Sequence, residues 1–152
     1  MIPLARVAQP AAIAVLRQAT AISPKRKKAW DGLLPSKAHI KQNPNSDHNS
    51  GFACDLTNDA AAGIDCFDIF EHWKKDKRVK YIIFNGRIWS EEKGERAYDG
   101  PNPHNHHIHV SIKETSGNDT SNWFPWLKKP KTVDVIKSKV AKKPKKEVQV
   151  EQ

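Results

Sequence analysis

The stretch PHNHHIHVSI, residues 103–112, holds four of the chain's seven histidines. In a strand, residues i and i+2 project from the same face. His107 and His109 therefore point together, with Ile108 and Val110 turned toward a core. Two imidazoles on one face can serve one ion. A carboxylate is offered by Asp55 in the short alternating strand GFACDLT, residues 51–57, and a further imidazole by His48 in the loop that feeds it. Two imidazoles and one carboxylate, with a fourth position left to water, form the donor set of a catalytic zinc. Such an ion lowers the pKa of its water to about 7 and polarises a carbonyl, which is the chemistry of metal-assisted hydrolysis.

Other elements must position these groups. Residues 10–22 carry an amphipathic pattern in which Pro10 suits a first helical turn and Ile13, Leu16 and Ala19/Thr20 recur at helical spacing. Residues 23–51 are rich in Pro, Asn, Ser and Gly and read as a long loop, and loops of that length inside a compact domain are usually functional. A helix is predicted over 63–78, with Asp65 as N-cap and Cys66, Ile69, Phe70 and Trp73 as its apolar face. Two β-rich runs over 79–90 flank Asn85-Gly86, the pair a type I′ hairpin turn prefers. Residues 91–106 read as a polar loop, 107–112 as a further strand, and 122–127 (NWFPWL) as an aromatic stretch that closes the core. The expected fold is a small α+β domain over residues 1–127. Its sheet is mostly antiparallel, its helices lie on one side, and a zinc site lies in a groove across the strands.

The chain has 152 residues, a formal charge of +9 and a pI near 9.6. Residues 128–152 alone hold nine lysines against Asp134, Glu147 and Glu151, and so carry +6 of that charge. They read as a lysine-rich, disordered tail. Its charge points to a polyanionic partner, either anionic wall polymer, membrane surface or nucleic acid, through attraction that salt would weaken. Cys54 and Cys66 are too few for a disulfide framework and fit free thiols in a reducing compartment, a Cys54–Cys66 bridge being the alternative. No apolar run reaches the length of a membrane span. Gln9, Pro10 and Arg17 interrupt the opening segment as a signal peptide.

The paired motifs SDHNSGFACDLT and HNHHIHVSI resemble the LAS-type zinc peptidases of the M15 kind. That group holds D-alanyl-D-alanine carboxypeptidases, murein endopeptidases and the peptidase domains of phage endolysins. The family pattern Ser-x-His-x-x-Gly-x-Ala-x-Asp reads here as Ser46, His48, Gly51, Ala53 and Asp55, and the late His-x-His as His107 and His109. The resemblance runs over roughly residues 10–127 and is nearest to small phage endolysin domains. It implies His48, Asp55 and His109 as zinc ligands and His107 as a catalytic residue facing the open position. Much of the family places a carboxylate shortly before the last ligand. This chain has none between residues 100 and 109, and His104, His107 and His109 instead reproduce the His-x-x-His-x-His spacing of the murein endopeptidase branch. A histidine base is therefore expected, His107 first, then His104, with His106 in the same neighbourhood.

Ser46 is expected to orient a ligand or bind substrate, and Arg87 to hold a substrate carboxylate, the alternatives being a turn serine and a solvated cross-strand charge. Trp30 and Trp89 are read as core residues before cleft residues, His72 as a surface or boundary residue, and His39 has no assigned role. The resemblance implies a monomer acting on bacterial peptidoglycan, with no specific nucleic acid. It would stay in the cytoplasm of a phage-infected cell until released to the wall. Two other readings compete. One is a non-enzymatic basic protein that binds wall or nucleic acid on a related fold. The other is a metal-dependent nuclease, for which the adjacent letters HNH at 104–106 are poor evidence because that motif is dispersed over a ββα unit.

Overall fold

A computed structural model describes residues 7–33, 47–100 and 102–127. Ser46, His39 and residues 128–152 lie outside the described residues. The architecture is α+β. Helices α1 (Pro10–Ile22) and α2 (Cys66–Trp73) accompany strands β1 (Ala53–Thr57), β2 (Val79–Phe84), β3 (Arg87–Ser90), β4 (Gly94–Ala97) and β5 (His107–Ile112). Short 3₁₀ turns lie at Asp47–Ser50, Ala60–Ala62 and Glu114–Ser116. The strands form one open antiparallel sheet in the order β1-β5-β2-β3-β4. Among the described residues no helix is long and apolar enough to cross a membrane.

One face of the sheet is the core. Cys54 and Leu56 of β1, Ile82 and Phe84 of β2, and Ile108, Val110 and Ile112 of β5 meet both helices there. Each large apolar side chain so buried contributes about 1.5–3 kcal/mol relative to exposure. Helix α1 starts at Pro10, whose missing N–H costs nothing in a first turn. It buries Ala11, Ala12, Ala14, Val15 and Ala19, with Ile13 and Leu16 only partly covered. The expected Ile13–Leu16 stripe is thus displaced toward alanines, whose small side chains let α1 lie close against β1.

Helix α2 begins where expected. The Asp65 carboxylate accepts the Phe67 N–H, and Cys66, Ile69, Phe70 and Trp73 face the core. It stops at Trp73 rather than running to residue 78, because Lys75 and Asp76 turn back onto the carbonyls of His72 and Trp73. Asp76 then binds the Arg78 side chain. The aromatic stretch closes the core as expected. Trp123 and Phe124 are fully buried, Trp123 Nε1 donates to the Ala11 carbonyl, and Trp73 Nε1 donates to the Trp123 carbonyl. Both cysteine thiols are free and buried, and burial pushes both up.

The β2–β3 turn has Asn85 at φ 52° and Gly86 at φ 77°, the left-handed pair of a type I′ hairpin. Residues 91–106 are not wholly loop. Gly94–Ala97 forms β4, pairing with β3 in the register Arg87↔Ala97 to Ser90↔Gly94. Its sequence, GERA, has no apolar alternation. Main-chain pairing and the Glu95 carboxylate hold it, the latter engaging both Arg87 and Lys74.

Candidate metal centre

The second face of the sheet carries the histidines. Strands β1 and β5 pair so that Thr57 lies opposite His107, Asp55 opposite His109 and Ala53 opposite Ser111. This row alternates with the core row, so it points away from the helices. His48 arrives from the 3₁₀ turn just before β1. Gly51 makes that approach possible: its φ is 84°, and a Cβ there would overlap the Val7 carbonyl oxygen. The Gly51 N–H closes on the His48 carbonyl, and its own carbonyl accepts the Gln9 N–H.

Three side chains converge. His48 Nε2 and His109 Nδ1 each sit 3.2 Å from Asp55 Oδ1. One ligand atom from each of His48, Asp55 and His109 lies within 4.8 Å of the others, so the group could hold a metal ion. The remaining nitrogens are also engaged. His48 Nδ1 donates to the Leu33 carbonyl at 2.8 Å, which puts the ring proton of the neutral form on Nδ1 and the lone pair on Nε2. His109 Nε2 lies 2.8 Å from Ser111 Oγ.

The electrostatics follow from this clustering. Burial alone would raise the Asp55 carboxyl, but hydrogen bonds and charge from His109 and His48 hold it well below the usual carboxylate range. Burial likewise opposes a charged His48, yet Asp55 lifts it above its ordinary value. Burial lowers His107, with further lowering from the neighbouring histidines. His104 is lowered to about 4, first by burial and then by His109 and His107.

His107 and His104 flank the group. His107 is buried, and its Nε2 is 3.8 Å from Asp55 Oδ2. The His104 ring meets His107 edge-on at 4.9 Å and His109 at 5.8 Å. Residue 104 takes a left-handed conformation at φ 60°. The hairpin tip fixes it there, since the Asn85 N–H donates to the His104 carbonyl and the Gly86 N–H to that of Pro103. His106 turns away and stacks on Trp30 at 4.7 Å.

Arg87 is not brought to this group. Its register partner is Phe84, a core-face residue, and its guanidinium pairs with Glu95 on the α2 side of the sheet. That is the cross-strand charge, not a carboxylate clamp beside the histidines. His72 stacks on Trp126 far along α2, and Trp89 packs against the core. A cavity of about 460 Å³ at the end of α2, lined in part by His72, also lies away from His48, Asp55 and His109, and its Arg78 pairs with Asp76 and Asp119.

Three features near the site were not anticipated. Trp30 is half exposed rather than in the core, and its ring also stacks along His107 at 5.9 Å. Its segment is anchored by Asp31, which accepts from Arg26, from Thr57 N and from Thr57 Oγ1, while Gly32 exchanges two backbone hydrogen bonds with Asp55. Ser111 and Tyr81 line the site face of the sheet beside His109. The period-two alternation that selected His107 and His109 reaches Ser111 next, so that residue was within reach of the sequence. The Asp31–Arg26 pair, inside a stretch without periodicity, was not.

Residues 6–109, more than half of the chain, match the protein family described as VldE, C-terminal domain. The matched span contains His48, Asp55, His107 and His109. Comparison with curated proteins and with solved structures finds no match. The chain thus belongs to the VldE C-terminal domain family.

Proposed function

We propose that this protein is a zinc-dependent peptidase that hydrolyses an amide bond in the stem peptide or cross-link of bacterial peptidoglycan. The observation that carries the reading is the convergence of His48, Asp55 and His109, with His107 beside them. The donor set suits zinc. Tetrahedral bonds of about 2.0–2.1 Å leave neighbouring ligand atoms roughly 3.3 Å apart, and Asp55 Oδ1 is 3.2 Å from each imidazole nitrogen. His48 Nε2, one Asp55 oxygen and His109 Nδ1 would hold the ion. When bound, it supplies Lewis acidity toward a carbonyl and acidifies water.

The rest of the chemistry falls to the chain's own groups. His107 is neutral at neutral pH because burial disfavours its charged form, so a ring nitrogen can take up a proton. It accepts that proton as water adds to the amide carbonyl and returns it to the departing amine. His104, also neutral, is the second candidate for this role. Trp30 stacks along His107 and limits how far its ring can swing. The motif resemblance supplies the substrate class and the phage-lysis setting, in which the enzyme would remain in the host cytoplasm until released to the wall. The lysine-rich 128–152 segment would add non-specific attraction to anionic wall polymer or membrane.

The test is digestion of purified peptidoglycan by the full chain, with and without a chelator, and mass spectrometry of the fragments. New amino termini that vanish with chelator are expected. New reducing sugar ends, or cleavage indifferent to chelator, would reject the assignment.

A further inference from the structure

We infer that Ser111 and Tyr81 are positioning residues that select Nδ1 of His109 as its metal-binding nitrogen. The inference rests on the metal-site part of the reading above. Asp55 and His109 are direct partners across β1 and β5, so the nitrogen nearer the backbone, Nδ1, is the one that meets the carboxylate. The far nitrogen, Nε2, reaches along its own strand to Ser111 Oγ at 2.8 Å. Ser111 is fully buried. Tyr81 lies opposite Ser111 in the β2–β5 register. The Tyr81 ring also stacks on the His109 ring at 5.4 Å and 20°.

These contacts define one proton arrangement. For Nδ1 to present a lone pair, the proton must sit on Nε2. The Nε2–H then donates to Ser111 Oγ. The reverse tautomer would put a hydrogen on the nitrogen facing Asp55 and the ion. Stacking by Tyr81 on one side and the edge contact with His48 at 4.9 Å fix the ring plane as well as its protonation. Groups that hold the second nitrogen of a ligating histidine set both its tautomer and its basicity.

The experiment measures zinc affinity of the full chain by competition with a chromophoric chelator, for the parent and for Ser111→Ala, Ser111→Thr and Tyr81→Leu. Ser111→Ala is expected to weaken zinc about 10–100-fold, as for other partners of ligating histidines, with Tyr81→Leu, which removes the stacked ring, in the same direction but smaller. Ser111→Thr, which keeps the hydroxyl, is expected to restore most of the loss. The thermal midpoint of each metal-free variant is recorded alongside. Parent-like zinc affinity in Ser111→Ala, or a fall in the metal-free midpoint with zinc affinity intact, would overturn the inference and leave the peptidase reading standing. Ser111-dependent zinc binding in a protein that cleaves no peptidoglycan would do the opposite.

Discussion

Asp55→Asn separates charge from shape at the centre of the site. The substitution keeps an oxygen near the Oδ1 position, 3.2 Å from both imidazole nitrogens, and removes the negative charge of the three-residue group. Zinc held by four ligands in small domains is worth about 10–16 kcal/mol near pH 7, so one ligand's share is about 3–4 kcal/mol. Affinity should therefore fall by about 10²–10³. A second effect has the opposite sign in acid. Asp55 lifts the pKa of His48, so in the parent protons compete for that ligand as the pH falls. In the variant, burial dominates and His48 stays neutral to lower pH. The gap between parent and variant should then be widest near pH 7.5 and narrower near pH 5.5. Chelator competition at both pH values, with thermal shifts at fixed zinc as a second measure, reads both effects. A variant that binds zinc within about threefold of the parent, a difference under 1 kcal/mol, would show that Asp55 is not a ligand. A gap that widens in acid would refute the electrostatic account.

Three further outcomes follow from the geometry. In the metal-free protein, His104 and His107 favour their neutral forms. Their stabilising contribution is present above about pH 6.5 and lost as pH falls below it, for His104 down to about 4, whereas that of His48, raised above 6.5, is present below 6.5 and fades as pH rises; urea titrations across pH 4–8 should show the acid loss shrink in His104→Ala. Asp31→Ala leaves the Arg26 guanidinium, 1% exposed, without its bidentate partner, and should cost about 3–5 kcal/mol in chemical denaturation. A loss under about 1 kcal/mol, the scale of a surface pair, would mean that Arg26's bonds to Thr20 and Lys27 suffice. Trp123→Ala empties a fully buried site and breaks the bond to the Ala11 carbonyl, for an expected loss of about 3–5 kcal/mol by the same measurement.

How far the sequence reveals these arrangements depends on whether local rules decide them. The Asp65 cap, the Asn85-Gly86 turn and the alternation through His107 and His109 are local, and each stands where those rules put it. The convergence of His48 and Asp55 with His109 is not local. Motif spacing suggested it, because the intervening strands leave no periodic trace of their order. Strand β4 escaped notice because GERA is held by its neighbours' backbone and by Glu95, not by an apolar face. The side on which Arg87 emerges needed the β2–β3 register, and that was already implicit in a two-residue turn placing Arg87 against Phe84. Trp30 was misjudged because the Arg26–Asp31–Thr57 contacts join segments with no shared pattern.

The pairing of β1 with β5 also governs when during synthesis the site can exist. His48 and Asp55 are made early, His109 more than fifty residues later, and β5 is the strand that joins β1 to the rest of the sheet. A nascent chain halted before residue 107 has two of the three donors and lacks the strand that pairs β1 with the β2–β3 hairpin. Translation products that end before β5 would thus be unable to assemble the centre, and competence would arrive only once that strand is threaded into place.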